Sequence, residues 1–204
     1  MRKTIVIAVV SVLTLAGCTA TPAVEPTPSP TPTIELGPIA LSDEEAATRY
    51  LQIVCQGNAA QNVFFDAVKA GEDEFLRGGD PDPATAKAAA AEWMRVSRLQ
   101  VEVLDDSYFT WPEIVGEQLV YVRSSFIALI SPIGSMANDK RFEDIYYTQF
   151  PERTSEQSSA AQEIRYQLKL DADTVKSCVD YEAALDDLHT EMTERNVELA
   201  KFED

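Results

Sequence analysis

Histidine is nearly missing: His189 is the only one among 204 residues. A Ser-His-Asp triad would have to use it, and no Gly-x-Ser-x-Gly elbow accompanies it. Cysteine is scarce as well, three residues with no Cys-x-x-Cys pair, so zinc has no ligand set and redox chemistry no motif. Cationic side chains number 17 against 34 acidic ones, a formal charge of −17. A surface of that sign repels phosphate, and nucleic acid is not expected as a partner. The glycines form neither Gly-x-Gly-x-x-Gly nor Gly-x4-Gly-Lys, which removes the usual nucleotide-cradling loops. Apolar residues at 45% are ordinary for a globular chain and exclude collagen-like, fully disordered and multi-pass membrane classes.

What is present begins with an address. Met1, Arg2 and Lys3 precede an apolar run, Thr4 to Ala16, of 13 residues, the pattern of a secretory signal. As a helix it would reach roughly 20 Å, short of the about 20 residues that a bilayer core demands. The ending Leu15-Ala16-Gly17-Cys18 resembles the lipobox of bacterial lipoproteins. That resemblance implies a diacylglyceryl group on the Cys18 thiol, cleavage before Cys18, and a lipidated residue as the mature N-terminus. Two acyl chains hold a protein stably on a membrane where one does so only marginally.

Residues 19 to 38 then carry six prolines and five threonines. Alternating proline fixes φ and favours polyproline II, so the stretch is expected to act as a stalk spanning up to roughly 60 Å at about 3.1 Å per residue. The expected organisation is a signal peptide at 1–17, the lipidated cysteine and linker at 18–41, and one acidic helical domain at 42–204. Loss of Arg2 and Lys3 leaves 15 cationic against 34 acidic side chains, a formal charge of −19 on the mature chain. The domain's 163 residues suffice for one core and are too few for two ordinary lobes.

Within the domain, Ser42 with Glu45 forms a capping box that opens a helix. Gly57-Asn58 is expected to interrupt it, with a second stretch from Ala59 to Ala70 before Gly71. Asp82 followed by Pro83 reads as an N-cap with proline at the first helical position, opening an alanine-rich helix from Ala84 to Leu104. After Trp111-Pro112, Val115, Leu119, Val122, Phe126, Leu129 and Ile133 recur at helical spacing, and Pro132 is expected to kink or end that helix near Ser131. Tyr181, Leu185, Leu188, Met192 and Leu199 mark a terminal amphipathic helix. Two segments alternate like strands, Leu99 to Val103 and Ile164 to Leu170. Both continue helix-favouring runs without hairpin turns, so the fold expected is all-α, an irregular bundle of five or six helices with one disulfide. The alternative is α+β with short strands near 98–104 and 163–170.

With Cys18 assigned to lipid, Cys55 and Cys178 remain as a pair outside the reducing cytoplasm, and a structural disulfide follows. His189, among Asp186, Asp187, Glu191 and Glu194, is expected on a solvated face. Acid clusters occur at Asp43 to Glu45, Glu72 to Glu74, Asp80 with Asp82, Asp105-Asp106, Asp171 with Asp173, and Asp186-Asp187. None completes a calcium loop, and the bland reading is turns, caps and solvated surface. Trp93, Trp111, Phe64, Phe65, Tyr146 and Tyr147 are expected mostly in the core, Asn58 and Asn62 as buried polar bridges, and Arg165 paired with a buried acid.

The expected function is a membrane-anchored extracytoplasmic lipoprotein whose domain is a non-enzymatic binding or interaction module. It would be held to the membrane by diacylglyceryl-Cys18, with an envelope protein or glycan as partner and no catalytic residue, metal or cofactor. The alternative is an envelope hydrolase using a carboxylate pair on glycan or peptide. The domain is also similar to small secreted lipoproteins of monoderm bacteria in Tyr50-Leu51, Val54-Cys55, Asn58, Trp111-Pro112 and Ser177-Cys178, a similarity that carries no activity with it.

Overall fold

The Ser42 hydroxyl accepts from the Glu45 amide at 3.3 Å while the Glu45 carboxylate accepts from the Ser42 amide at 2.9 Å. This reciprocal box starts the first helix where the sequence places it. The computed structural model describes residues 37–202. The signal segment 1–17, Cys18 and the linker up to residue 36 lie outside the described residues. Of the segment 18–41, residues 37–41 are described and docked: strand β1, Ile39–Ala40, pairs in parallel with β2, Phe109–Thr110.

Seven helices are found among the described residues. They are α1 Asp43–Leu76, α2 Ala84–Leu104, α3 Glu113–Asn138, α4 Phe142–Tyr146, α5 Ser155–Gln167, α6 Thr174–Cys178 and α7 Ala184–Leu199, with a 3₁₀ turn at Ala200–Phe202. Five are long; α4 and α6 are single turns of five residues. The architecture is an all-α irregular bundle with one disulfide. Helix α2 packs between α1 and α3, α5 covers α3, and α7 lies against α1 and α2. The small Ala86, Ala89 and Ala90 are buried on α2. Tyr50, Ile53 and Phe64 from α1, Trp93 and Val96 from α2, and Val115, Ile133 and Met136 from α3 fill the core. Helix α3 is the one described helix long and apolar enough to cross a membrane, but here part of that apolar surface is core.

Three local expectations need correction. The first helix does not break at Gly57-Asn58 or stop at Gly71, but runs unbroken to Leu76. Each glycine marks a close approach: a Cβ on Gly57 would meet Gln100 Nε2 at 2.3 Å, and one on Gly71 would meet the Phe142 ring at 2.6 Å. Nor does α3 end at Pro132, which lies inside it. That proline denies the Ala128 carbonyl its amide partner, and burial of Ile133 and Met136 beyond it holds the last two turns in place. Third, Pro83 takes the cap position of α2, and Asp82 before it accepts from the Ala84 amide at 3.0 Å.

Both strand-like segments begin helical. The buried face of α2 near its end is Trp93, Val96, Ser97, Gln100 and Val103, and that of α5 is Ala160, Ile164 and Arg165, continued by Leu168 after the helix ends. Polar residues sit on each face at helical spacing, which hides the period. Helix α5 closes at Lys169 in the left-handed region, φ 57°, with the Leu170 amide donating to the Arg165 carbonyl at 2.8 Å and the Lys169 amide to the Tyr166 carbonyl at 3.2 Å. This is a Schellman turn with lysine in the usual glycine place.

Cys55 on α1 and Cys178 at the end of α6 form the expected disulfide, Cα atoms 5.2 Å apart. At the very next residue α1 caps another helix. Helix α7 has no capping side chain of its own, and the Gln56 amide oxygen accepts from the Leu185 and Asp186 amides at 3.2 and 3.3 Å. Buried Gln56 thus satisfies backbone donors that a local Ser or Asp would otherwise take.

Candidate functional site: a cavity with a buried arginine

Tyr50, Val54, Gly57, Asn58 and Gln61 form one stripe along α1, at the i, i+4, i+7, i+8 and i+11 positions of a helical face. Across from it α2 contributes Trp93 and Gln100, α3 contributes Val122, Phe126 and Leu129, and α5 contributes Gln157 and Arg165. Together they enclose a cavity of about 180 Å³. At Gly57 the absent side chain admits Gln100, whose amide nitrogen donates to the Ile53 carbonyl at 3.0 Å. One wall is therefore a satisfied amide, while the α3 wall is apolar apart from Ser125.

Arg165 is the unusual member. It is 3% exposed, and its Nη1 donates to the Asp171 carbonyl at 2.6 Å and to the Ser177 hydroxyl at 2.8 Å. Its Nη2 is buried without a hydrogen-bond partner. The expected buried acid is not there: the Asp171 carboxylate accepts instead from Lys176 Nζ at 2.7 Å and from the Asp173 amide at 3.0 Å. Both groups that hold Nη1 belong to residues 171–177, the segment fastened to α1 through Cys178. Burial pushes the Tyr50 hydroxyl up to about 12, against the pull of the Arg165 charge. The phenol therefore stays protonated at neutral pH and is available as a donor.

The lining sets hydrogen-bonding side chains beside apolar surface. None of its residues is Asp, Glu, His or a free Cys, and the titratable groups in it are Tyr50, Arg153 and Arg165. The Ser125 hydroxyl donates to the Tyr121 carbonyl at 2.9 Å, and the Gln157 amide nitrogen to the Ser124 hydroxyl at 3.0 Å. Arg153, on the exposed segment before α5, reaches the cavity from its rim.

The acid clusters lie elsewhere, most of them in contact with cations or helix starts. Asp105 binds Arg123, Asp186 binds Arg95 at 2.6 Å, and Asp173 caps α6. Among the described residues no group of three or more His, Cys, Asp or Glu is placed to hold a metal. His189 is two-thirds buried rather than freely solvated, with Nε2 3.1 Å from the Glu102 carboxylate on α2. Asn58 and Asn62 are exposed and bridge nothing, though Asn58 lines the cavity. Trp93 and Phe64 are core, with Trp93 also touching the cavity, whereas Phe65 and Tyr147 are exposed.

A second buried charge cluster closes the opposite side of α1. Arg49 Nη2 and Arg195 Nη2 reach the same oxygen of Asp106, at 3.0 and 2.7 Å. Their guanidinium carbons stand 4.1 Å from the ring centres of Phe109 and Tyr108 respectively. Burial lowers the Arg49 pKa from its ordinary value, Asp106 and Glu191 acting against that and Arg195 with it. This cluster joins α1, α7 and the β2 loop.

Sequence reasoning missed the cavity, although it singled out Arg165. The signal was the pair of apparent strands, since Gln100 and Arg165 both interrupt a helical period and both line the cavity. No family model, curated protein or solved structure matches this chain.

Proposed function

We propose that this chain is a lipid-anchored extracytoplasmic protein whose helical domain is a non-enzymatic binding module. The observation that carries the reading is Leu15-Ala16-Gly17-Cys18, at the junction of a basic-then-apolar start and a Pro/Thr-rich stalk. The Cys55–Cys178 disulfide supports it, because such bonds persist in oxidising compartments. The cavity supports the binding half, since its lining offers donors and apolar surface without an acid–base pair. In this reading Cys18 carries the diacylglyceryl group, the stalk spaces the domain from the membrane, and the partner is met outside the cell.

Expression of the full chain in a bacterial host, followed by detergent phase partition and intact mass of the mature protein, tests the anchor. The expected product starts at Cys18, carries a diacylglyceryl mass and enters the detergent phase, and Cys18→Ala does neither. An unmodified Met1, or release from membranes by a salt wash, overturns the reading.

A further inference from the structure

We propose that the cavity enclosed by α1, α2, α3 and α5 is a binding site for a small monocarboxylate with an apolar body, anchored by Arg165. The inference rests on the binding-module reading but not on the lipid anchor.

Its first support is a buried cation with an unfilled donor and no carboxylate hydrogen-bonded to it. A guanidinium out of water needs an opposite charge or a full set of acceptors. Arg165 has two neutral acceptors on Nη1 and none on Nη2, and the Asp171 carboxylate, whose charge acts on it without a hydrogen bond, is held by Lys176 and a backbone amide. With Nη1 committed, Nη2 is the donor left over on a residue of the cavity wall, and the planar fork of a guanidinium matches a carboxylate. The protonated Tyr50 hydroxyl lines the same space.

The second support is the rest of the wall. Val54, Val122, Phe126 and Leu129, with the Trp93 ring, offer apolar surface to a ligand body. No acid lines the cavity, so a bound anion meets no like charge. Charge count selects the class: one buried cation balances one negative charge, whereas a phosphate dianion would lean on Arg153, whose exposed charge is weakened by solvent. A volume of about 180 Å³ holds a small molecule, below the roughly 300–1,000 Å³ of drug-sized sites.

The test uses the full mature chain in detergent micelles with benzoate, acetate, neutral benzamide and inorganic phosphate at matched ionic strength. Thermal shift and titration calorimetry are the readouts. Benzoate is expected to bind saturably and raise Tm, acetate more weakly, benzamide and phosphate not at all. Arg165→Met should bind benzoate about ten- to hundred-fold more weakly, the worth of one charge-assisted pair, with its disulfide and helicity retained. Should Arg165→Met not fold, Ala161→Phe, which fills the cavity from an exposed position of α5 and keeps Arg165 in the chain, must give the same loss. Saturable phosphate binding through Arg165 overturns the carboxylate class and leaves a binding module standing. No saturable binding of either carboxylate below about 10 mM, or equal benzoate affinity in wild type and Arg165→Met, overturns the site itself. Cys18→Ala should leave benzoate binding unchanged, which separates failure of the cavity from failure of the anchor.

Discussion

Arginine is buried on two sides of α1 under opposite electrostatic conditions. Arg49 and Arg195 share the Asp106 carboxylate and both side chains stack on aromatic rings, each leaving its Nε without a hydrogen-bond partner. Arg165 has only neutral acceptors, one unpartnered nitrogen and a cavity beside it. The first arrangement holds its carboxylate within the chain, so its energy goes into stability. The second has no carboxylate hydrogen-bonded to it, which leaves something for a ligand to contribute. Asp106→Asn would strand two buried guanidinia and is expected to cost about 3–5 kcal/mol of unfolding free energy, the usual penalty for removing one partner of a buried charge group. Arg165→Met removes a charge that has no partner and loses two hydrogen bonds to neutral groups, so its cost should stay below about 2 kcal/mol. Urea denaturation of both variants checks this. Equal costs would erase the distinction between the two regions.

Removal of the disulfide sharpens the comparison, because the bond belongs to one region and not the other. Cys55 and Cys178 are 123 residues apart, and cross-links closing loops of that size contribute about 2–5 kcal/mol. The paired change Cys55→Ala with Cys178→Ala should lower stability by an amount in that range. It should also weaken benzoate binding in the fraction that remains folded, since Ser177, one residue before Cys178, helps to hold Arg165. Asp106→Asn should leave the affinity of the folded fraction unchanged. Denaturation and calorimetry on the same preparations give both quantities.

How far the sequence could be read follows the same division. The reading stood where a cap, an apolar period or cysteine parity decided the outcome: the Ser42 box, the alanine-rich span 84–104, the apolar stripe of α3 and the pairing of Cys55 with Cys178. It failed where a distant residue decided. Gly57 reads as a helix breaker until Gln100 is seen to occupy its missing side chain. Gln100 and Arg165 made helices resemble strands because a buried polar residue breaks the apolar count while keeping the helical spacing. The absence of an acid beside Arg165 had no local signal, since Asp171 stands six positions away in sequence and offers only its carbonyl. Gly57→Ala tests the distant contact directly. The added methyl must displace Gln100 from its bond to Ile53, an overpacking that costs about 1–3 kcal/mol, and it should narrow the cavity and weaken benzoate binding alongside stability.

Exposure supplies a third setting for the same side chain. Arg95 bonds both Glu92 and Asp186 at the surface, at 2.7 and 2.6 Å. Hydrogen bonding to Arg95 holds both carboxyls below their ordinary values, with the Gln56 amide assisting at Asp186. A depressed carboxyl pKa contributes stability that is present above the unfolded value and lost as pH falls through the folded one. Stability should therefore decline as pH drops below about 4, and Arg95→Gln should flatten that decline. Solvent screening limits the difference between the two proteins to under about 1 kcal/mol, measurable by denaturation at pH 7 and at pH 3.

The smallest effect lies in the turn that seats Arg165. Lys169 adopts a left-handed backbone, and its turn brings the Leu170 amide onto the Arg165 carbonyl before the chain reaches Asp171, whose own carbonyl accepts from Nη1. A side chain in that conformation costs about 1–2 kcal/mol relative to glycine, partly offset because glycine has more freedom in the unfolded chain. Lys169 is exposed, so Lys169→Gly sacrifices little packing and should raise stability by about 0.5 kcal/mol. Its effect on binding is the more telling measurement. If the Schellman turn is what places the guanidinium, glycine preserves it and benzoate affinity is unchanged. Lys169→Val, β-branched and poorly suited to a positive φ, should open the turn and lower stability and affinity together. A Lys169→Val protein that lost stability yet bound benzoate normally would show that Asp171 and Ser177 seat Arg165 without the turn.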